Sequence, residues 1–105
     1  MLRTRFSILQ SNINTLDLFF KQVQKDQVVP IIVLMPYHPL AYSTISEKTN
    51  TLIEVEKEIR KIAAQRKIQV IGSYDPTKYN FTESDFYDHY HPKPVVVEKL
   101  LKNLF

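Results

Sequence analysis

The spacing of apolar residues along the chain changes several times, and the first two elements it predicts are a helix and a strand. An apolar residue recurs every three or four positions over 13–23, which predicts a helix from a cap at Ser11 or Asn12 to about Lys25. Its apolar face would comprise Ile13, Leu16, Phe19, Phe20 and Val23. The next stretch, "VVPIIVLMP", is continuously apolar and β-branched, as is typical of a strand buried on both faces. Pro30 has no N–H to donate, so it belongs at the beginning or edge of this strand.

The second half of the chain predicts two more helices and one more strand. A helix is expected from about Ile45 to Arg66, with a polar face on which Glu56 and Arg60 pair four residues apart. Its buried stripe would comprise Leu52, Val55, Ile59, Ile62 and Ala63. The segment "KIQVIG" predicts a short strand ended by Gly72, followed by a polar loop of about twenty residues. Pro94 suits the first turn of a last helix, whose apolar residues are Val97, Leu100, Leu101 and Leu104.

This α-β-α-β-α order predicts an α/β fold. Two strands joined by a long helix are expected to pair in parallel through a right-handed crossover. Helices would then cover both faces, as in a doubly wound, flavodoxin-like, three-layer domain. Two strands alone would leave both sheet edges open. There are three ways to cover these edges: "RTRFSILQ" forms a third strand, the chain oligomerises through a sheet edge, or the chain is part of a larger α/β domain. We favour the larger domain. Residues 1–105 are thus predicted to be a single partial domain, the C-terminal part of a larger one.

The composition of the chain excludes several kinds of functional site. The chain has no cysteine, which excludes disulfides and thiolate sites, and one glycine, which excludes glycine-rich phosphate loops. The net charge of +3 is mild and the basic residues alternate with acidic ones, so nucleic-acid binding is not expected. The N-terminus lacks the apolar core of a signal peptide, and the longest apolar run is too short to cross a bilayer. We therefore expect no membrane association, with the cytoplasm as the default location.

The stretch "SDFYDHYHPKP", residues 84–94, concentrates titratable side chains before the last helix. Asp88 and His91 stand as D-x-x-H, and a carboxylate three residues before a histidine can reach its Nδ1. That contact fixes the tautomer and stabilises the imidazolium that forms when Nε2 takes a proton. The stretch follows the carboxyl end of a strand, where open α/β sheets place their sites.

The sequence "FYDHYHP" before a terminal helix resembles the last motif of the SGNH (GDSL-like) hydrolases, and "IIVLMPYHPLAY" resembles a strand and Pro-rich turn of that family. The resemblance covers roughly residues 12–105 in the order of elements. It implies that Asp88 orients and His91 acts as the general base of a Ser-His-Asp triad. It also implies an acyl-ester substrate, carbohydrate-linked in one version, and chemistry that needs no metal or organic cofactor. His38, at the end of the first strand, would line the substrate cleft on the same rim.

The chain departs from the family at the other end of the domain. The G-D-S-type turn that carries the nucleophile is missing, and the glycine and asparagine of the oxyanion hole have no clear match. A triad without nucleophile and oxyanion donors keeps almost none of its transition-state stabilisation. The chain alone is therefore expected to be inactive unless a complementing N-terminal half supplies them.

Three other interpretations remain open. In the first, Asp88 caps a turn and His91 is merely solvated. In the second, His89 and His91 bind zinc with Asp88 or His38, although no fourth ligand is evident. In the third, the chain is a non-catalytic α/β module that forms a homo-oligomer through its open sheet edge. The nearby serines, Ser43, Ser46, Ser73 and Ser84, do not lie in a nucleophile elbow, so none is expected to replace the missing serine.

Overall fold

The chain forms a mixed α/β fold. A computed structural model describes the backbone of residues 5–102 and 104, and the side chains of residues 10–102 and 104. Within these residues there are four α-helices and two β-strands: α1 (Arg5–Lys25), β1 (Ile31–Leu34), α2 (Pro39–Lys48), α3 (Thr51–Arg66), β2 (Gln69–Gly72) and α4 (Pro94–Leu101). Two short 3₁₀ turns, Pro76–Tyr79 and Glu83–Asp85, lie between β2 and α4. No helix of the described residues is long and apolar enough to cross a membrane.

The two strands pair in parallel, as the sequence predicts. Ile31 lies opposite Gln69 and Leu34 lies opposite Gly72, and the described residues form no further strand of this sheet. Strand β1 begins directly after Pro30, and β2 ends at Gly72, both as expected. The suggestion that "RTRFSILQ" forms a third strand is wrong for residues 5–10, which are helical. Arg3 and Thr4 lie outside the described residues.

Helices pack on both faces of the sheet. Neighbouring residues of a strand point to opposite faces, so Val70 and Ile71 separate two apolar clusters. Helices α1 and α3 pack against the first face, with a buried core of Ile13, Phe20, Leu34, Ile59, Ile62, Ala63 and Ile68. Helix α4 packs against the second face, with a buried core of Ile71, Phe81, Phe86, Val96 and Leu100. On α4 it is Val96, not the predicted Val97, that is fully buried.

Two helix boundaries differ from the prediction. Helix α1 begins at Arg5 rather than at Ser11 or Asn12, because no proline or glycine interrupts residues 5–12. The single helix expected over 45–66 is two helices that are separated at Thr49 and Asn50. Thr49 is extended, and its Oγ1 accepts the Thr51 N–H at 3.2 Å, so a side-chain oxygen takes a backbone donor there.

Strand β1 is not buried on both faces, contrary to the prediction. Leu34 is buried, but Ile31 and Val33 are 44% and 40% exposed. Both point to the face on which α4 covers β2, so helix α4 leaves β1 uncovered there. Phe19 was also expected on the buried face of α1 and is exposed. Both α1 and β1 thus expose apolar side chains that the sequence predicts to be buried.

Candidate functional site

A tight loop over residues 86–92 carries the predicted catalytic pair. Phe86 and Pro92 form an isolated antiparallel bridge that closes the loop. Inside it the Tyr87 N–H donates to the His91 carbonyl at 2.8 Å, and just outside it the Lys93 N–H donates to the Asp85 carbonyl at 2.8 Å. The Phe86 side chain is buried in the second apolar cluster. The loop is therefore anchored in the core at one end and held by α4, which begins at Pro94, at the other.

Asp88 and His91 are in direct contact. The Nδ1 atom of His91 lies 2.8 Å from each carboxylate oxygen of Asp88. Oδ1 also accepts the backbone N–H groups of Tyr90 at 2.8 Å and His91 at 2.9 Å. An ionised carboxylate only accepts hydrogen bonds, so Nδ1 carries the proton and Nε2 is left as the basic atom. The contact predicted from the spacing is present, and the catalytic role of the two residues stays a prediction.

Asp88 also caps its own turn. The interpretation in which Asp88 is a turn cap therefore describes part of its role. The backbone N–H of Tyr90 and the side chain of His91 lower the pKa of Asp88 below its ordinary value of 3.8, and burial opposes them without reversing the direction. Because its folded-state pKa is depressed, the stabilisation from ionised Asp88 is present above the unfolded-state pKa. It is lost as the pH falls through the folded-state pKa.

We therefore expect the 88–91 turn to loosen below pH 3.8 while the core stays folded. In an NMR titration from pH 6 to pH 2, the Tyr90 and His91 amide resonances should move together with a midpoint below 3.8. The Asp88→Asn variant should lack this transition. A midpoint at or above 3.8 would show that the carboxylate does not hold the turn.

His38 is placed on the same rim of the sheet as the pair but is fixed by its own contacts. It is buried, and its Nδ1 accepts the Leu40 N–H at 3.0 Å, which caps the N-terminus of α2. A neutral ring that accepts at Nδ1 carries its proton on Nε2. The ring centroid lies 5.4 Å from that of Phe86 and 4.7 Å from that of His89. His38 is thus a helix cap and a wall residue, and its Nε2–H is available as a donor.

An aromatic cavity of about 400 Å³ lies beside the loop. It is lined by Met35, Pro36, Tyr37, His38, Phe86, His89, Tyr90 and Pro92. Asp88 and His91 are not among the lining residues, although both neighbours of His91 are. The predicted cleft role of His38 agrees with its position here, while the Asp88–His91 pair lies at the border of the cavity and is exposed. No pattern in the sequence predicts that His89 packs on His38, since the two residues are 51 positions apart.

A second polar cluster joins α3 to the end of β2. The carboxylate of Glu56 accepts the Ser73 hydroxyl at 2.8 Å and the Tyr74 N–H at 2.9 Å, in addition to the predicted ion pair with Arg60 at 3.0 Å. Arg60 donates in turn to the Gly72 carbonyl at 2.7 Å. Ser73 is buried, and its hydroxyl donates to the Glu56 carboxylate, which ties the end of β2 to α3. These contacts anchor the segment that leads to the loop, and the sequence alone indicates only the Glu56–Arg60 pair.

The zinc interpretation finds no ligand set in the structure. Among the described side chains, no group of three or more His, Cys, Asp or Glu is placed to hold a metal ion. His91 directs Nδ1 to Asp88, and His89 packs its ring against His38. Metal-binding chemistry therefore gains no support from this loop.

No protein-family model, no curated protein and no solved structure matched the chain. The resemblance to SGNH hydrolases therefore depends on the element order and on the D-x-x-H-P motif. The geometry of the site is therefore the main indication of function for this chain.

Proposed function

We propose that the chain is the C-terminal part of an SGNH-like serine esterase or acyl-transfer domain, in which Asp88 orients His91 and His91 is the general base. The contact of His91 Nδ1 with both oxygens of Asp88 carries this proposal. Two further features support it: the loop follows the carboxyl end of a parallel strand, and an aromatic cavity lies next to it. The finer architecture, a doubly wound, flavodoxin-like, three-layer sheet, belongs to the same proposal.

In this mechanism His91 accepts a proton and then donates it in each of two steps. Nε2 takes the proton of a serine hydroxyl while the serine oxygen attacks the ester carbonyl carbon, and Asp88 stabilises the imidazolium. The imidazolium then gives the proton to the departing alcohol, which leaves an acyl-serine. His91 next takes a proton from a water molecule, or from an acceptor alcohol, that attacks the acyl group, and returns it to the serine.

The serine and the oxyanion donors would come from a segment that completes the domain. The side chain of His91 is 72% exposed, so Nε2 is accessible to such a segment. The cavity beside the loop would hold part of the acyl ester, with the Nε2–H of His38 as a donor and exposed Tyr90 as a stacking surface. A sugar ring stacks well on such a tyrosine, so a carbohydrate-linked ester is one substrate of this class.

The test compares the chain alone with the chain joined to any segment encoded directly upstream of the Met1 codon. We expect the chain alone to show no labelling by a fluorophosphonate probe and no catalysed hydrolysis of p-nitrophenyl acetate. The joined protein should show both, with the label on a serine of the added segment. An upstream sequence that encodes no strand, no G-D-S-type turn and no reactive serine would contradict the proposal.

The open sheet supports a second candidate, a non-catalytic interaction module. Strand β1 has no neighbour on its outer edge among the described residues, and its exposed apolar side chains would suit a homo-oligomer. In that case the thermal stability of the chain would rise with its concentration, whereas a monomer awaiting a different polypeptide would show no such rise.

A further inference from the structure

The aromatic cavity beside the loop adjoins a second cavity that runs along α2. The second cavity has a volume of about 340 Å³. Four residues of α2 line it: Leu40, Ala41, Thr44 and Ile45. Its other lining residues also line the aromatic cavity, and they are Tyr37, His89 and Tyr90. We call the two cavities together the α2 groove.

The lining of the α2 groove carries no carboxylate, ammonium or guanidinium group among the described side chains. None of its lining residues is Asp, Glu, Lys or Arg, although these four types make up 24% of the chain. Two other cavities differ in this respect. The cavity between α3 and the end of β2 is lined by Glu56, Lys57 and Arg60 among others, and the cavity between α2 and the first 3₁₀ turn by Glu47 and Asp75. Since a charge buried without a partner is costly, the α2 groove suits an uncharged ligand.

Helix α2 leaves its apolar side chains available to such a ligand. None of its residues is buried, and Leu40 is 50% exposed. Its four groove residues are spaced one and four positions apart, so they share one face of the helix. An alkyl chain that lies along this face would remove apolar surface from water, which favours binding.

The two ends of the α2 groove differ in polarity. In the aromatic cavity the buried ring of His38 presents an N–H donor, because its Nδ1 accepts the Leu40 N–H and its proton is therefore on Nε2. Tyr90 is 84% exposed and offers a ring face on which a sugar can stack. Along α2 the lining side chains are those of Leu, Ala and Ile, with the hydroxyl of Thr44 as the polar group. A ligand with an oxygen-rich head and an alkyl chain matches both ends.

We propose that the α2 groove binds an uncharged amphiphile, with an oxygen-rich head beside His38 and Tyr90 and an alkyl chain along α2. The inference rests on the proposed function where it names the substrate, which is then an ester of a medium-length acyl chain with a sugar or another neutral alcohol. The bond between head and chain would lie near Tyr90, which lines both cavities and directly precedes His91. Every lining residue belongs to this chain, so binding does not require the missing serine.

The test titrates the full chain with hexyl glucoside and octyl glucoside, each below its critical micelle concentration, and follows binding by NMR. A buried methylene group strengthens binding about fourfold, so the dissociation constant of octyl glucoside should be on the order of tenfold lower than that of hexyl glucoside. Nuclear Overhauser effects should connect the alkyl chain with the methyl groups of Leu40 and Ile45. The sugar ring should show such effects with the ring of Tyr90.

Matched variants on α2 test whether the groove is the binding site. Thr44→Glu puts a charge into the uncharged lining and should weaken octyl glucoside binding at least tenfold, whereas Thr44→Leu should maintain or strengthen it. Ser43→Glu is the control and should have no effect, because Ser43 is the neighbouring exposed residue and lines a different cavity. His38→Asn retains an acceptor for the Leu40 N–H but removes the Nε2–H donor. It should weaken the binding of both glucosides by the same factor, since only the head loses a contact.

Four results would each overturn the proposal. They are equal affinity for the two glucosides, contacts of the alkyl chain with residues outside the groove, equal effects of Thr44→Glu and Ser43→Glu, and binding only above the critical micelle concentration. The proposed function fails separately, in a completed domain that binds octyl glucoside in the groove but is not labelled by a fluorophosphonate. The groove would then be a binding site for amphiphiles, and the acyl-transfer proposal would not stand.

Discussion

Replacing His91 by alanine is expected to lower kcat/KM of the completed domain for p-nitrophenyl acetate by about 10⁴-fold. His91 Nε2 is the atom that would accept the serine proton, and Asp88 holds the other ring nitrogen at 2.8 Å. Without the imidazole, the serine has no base, and only binding and oxyanion stabilisation remain. Asp88→Asn should also lower the rate by about 10⁴-fold, because an amide at this position can hold the imidazole in the wrong tautomer.

His89 provides the matched control for this prediction. It lies two residues from His91 in the same loop, but its ring packs on His38 and makes no hydrogen bond to Asp88. His89→Ala should therefore alter KM through the cavity and leave kcat within a few-fold of the unchanged protein. Because the side chain of His91 is 72% exposed, added imidazole should partly restore activity to His91→Ala. Equal losses in the two alanine variants, with no rescue, would contradict the role of His91 as base.

Replacing Gly72 by alanine is expected to lower the free energy of unfolding by about 2–4 kcal/mol. Gly72 has a φ of +87°, a conformation that side chains other than hydrogen rarely adopt. A Cβ at this position would also overlap the carbonyl oxygen of Leu34, which belongs to the backbone of the neighbouring strand. That oxygen can move only if β1 moves relative to β2, so the strain cannot be relieved by a change of rotamer. Urea unfolding followed by circular dichroism should show a midpoint lower by roughly 1–2 M.

Gln69→Ala is the control for Gly72→Ala. Gln69 is an exposed residue in the same strand, and its replacement should change the unfolding free energy by less than about 0.5 kcal/mol. In Gly72→Ala the movement of β2 relative to β1 should also disturb the polar cluster around Glu56. The Gly72 carbonyl accepts from Arg60 in that cluster, and the Gly72 N–H donates to the Tyr79 hydroxyl at 2.9 Å. A Gly72→Ala variant as stable as Gln69→Ala would show that the close approach of the strands is not required.

The sequence by itself predicted most of the helices and both strands, and it predicted the local contact between Asp88 and His91. Apolar spacing of three and four residues predicted α1, α3 and α4, and the apolar segments "VVPIIVLMP" and "KIQVIG" predicted β1 and β2. The helix between the two strands predicted their parallel pairing. Such patterns work because a helix or strand places its side chains at a fixed period. The contact between Asp88 and His91 was predictable for a similar reason. Asp88 and His91 are only three residues apart, so most conformations of this segment keep the Asp88 carboxylate near the His91 ring.

Only the tertiary structure decided which surfaces are covered and which polar groups meet. Three features depend on hydrogen bonds or packing that no periodicity encodes. They are the break between α2 and α3 at Thr49, the packing of His89 on buried His38, and the hydrogen bond from Ser73 to Glu56. The same holds for β1, whose uniformly apolar sequence predicts burial on both faces although Ile31 and Val33 are exposed. Side-chain spacing fixes which residues share a face. Whether that face is buried depends on elements that are distant in the chain or supplied by another polypeptide.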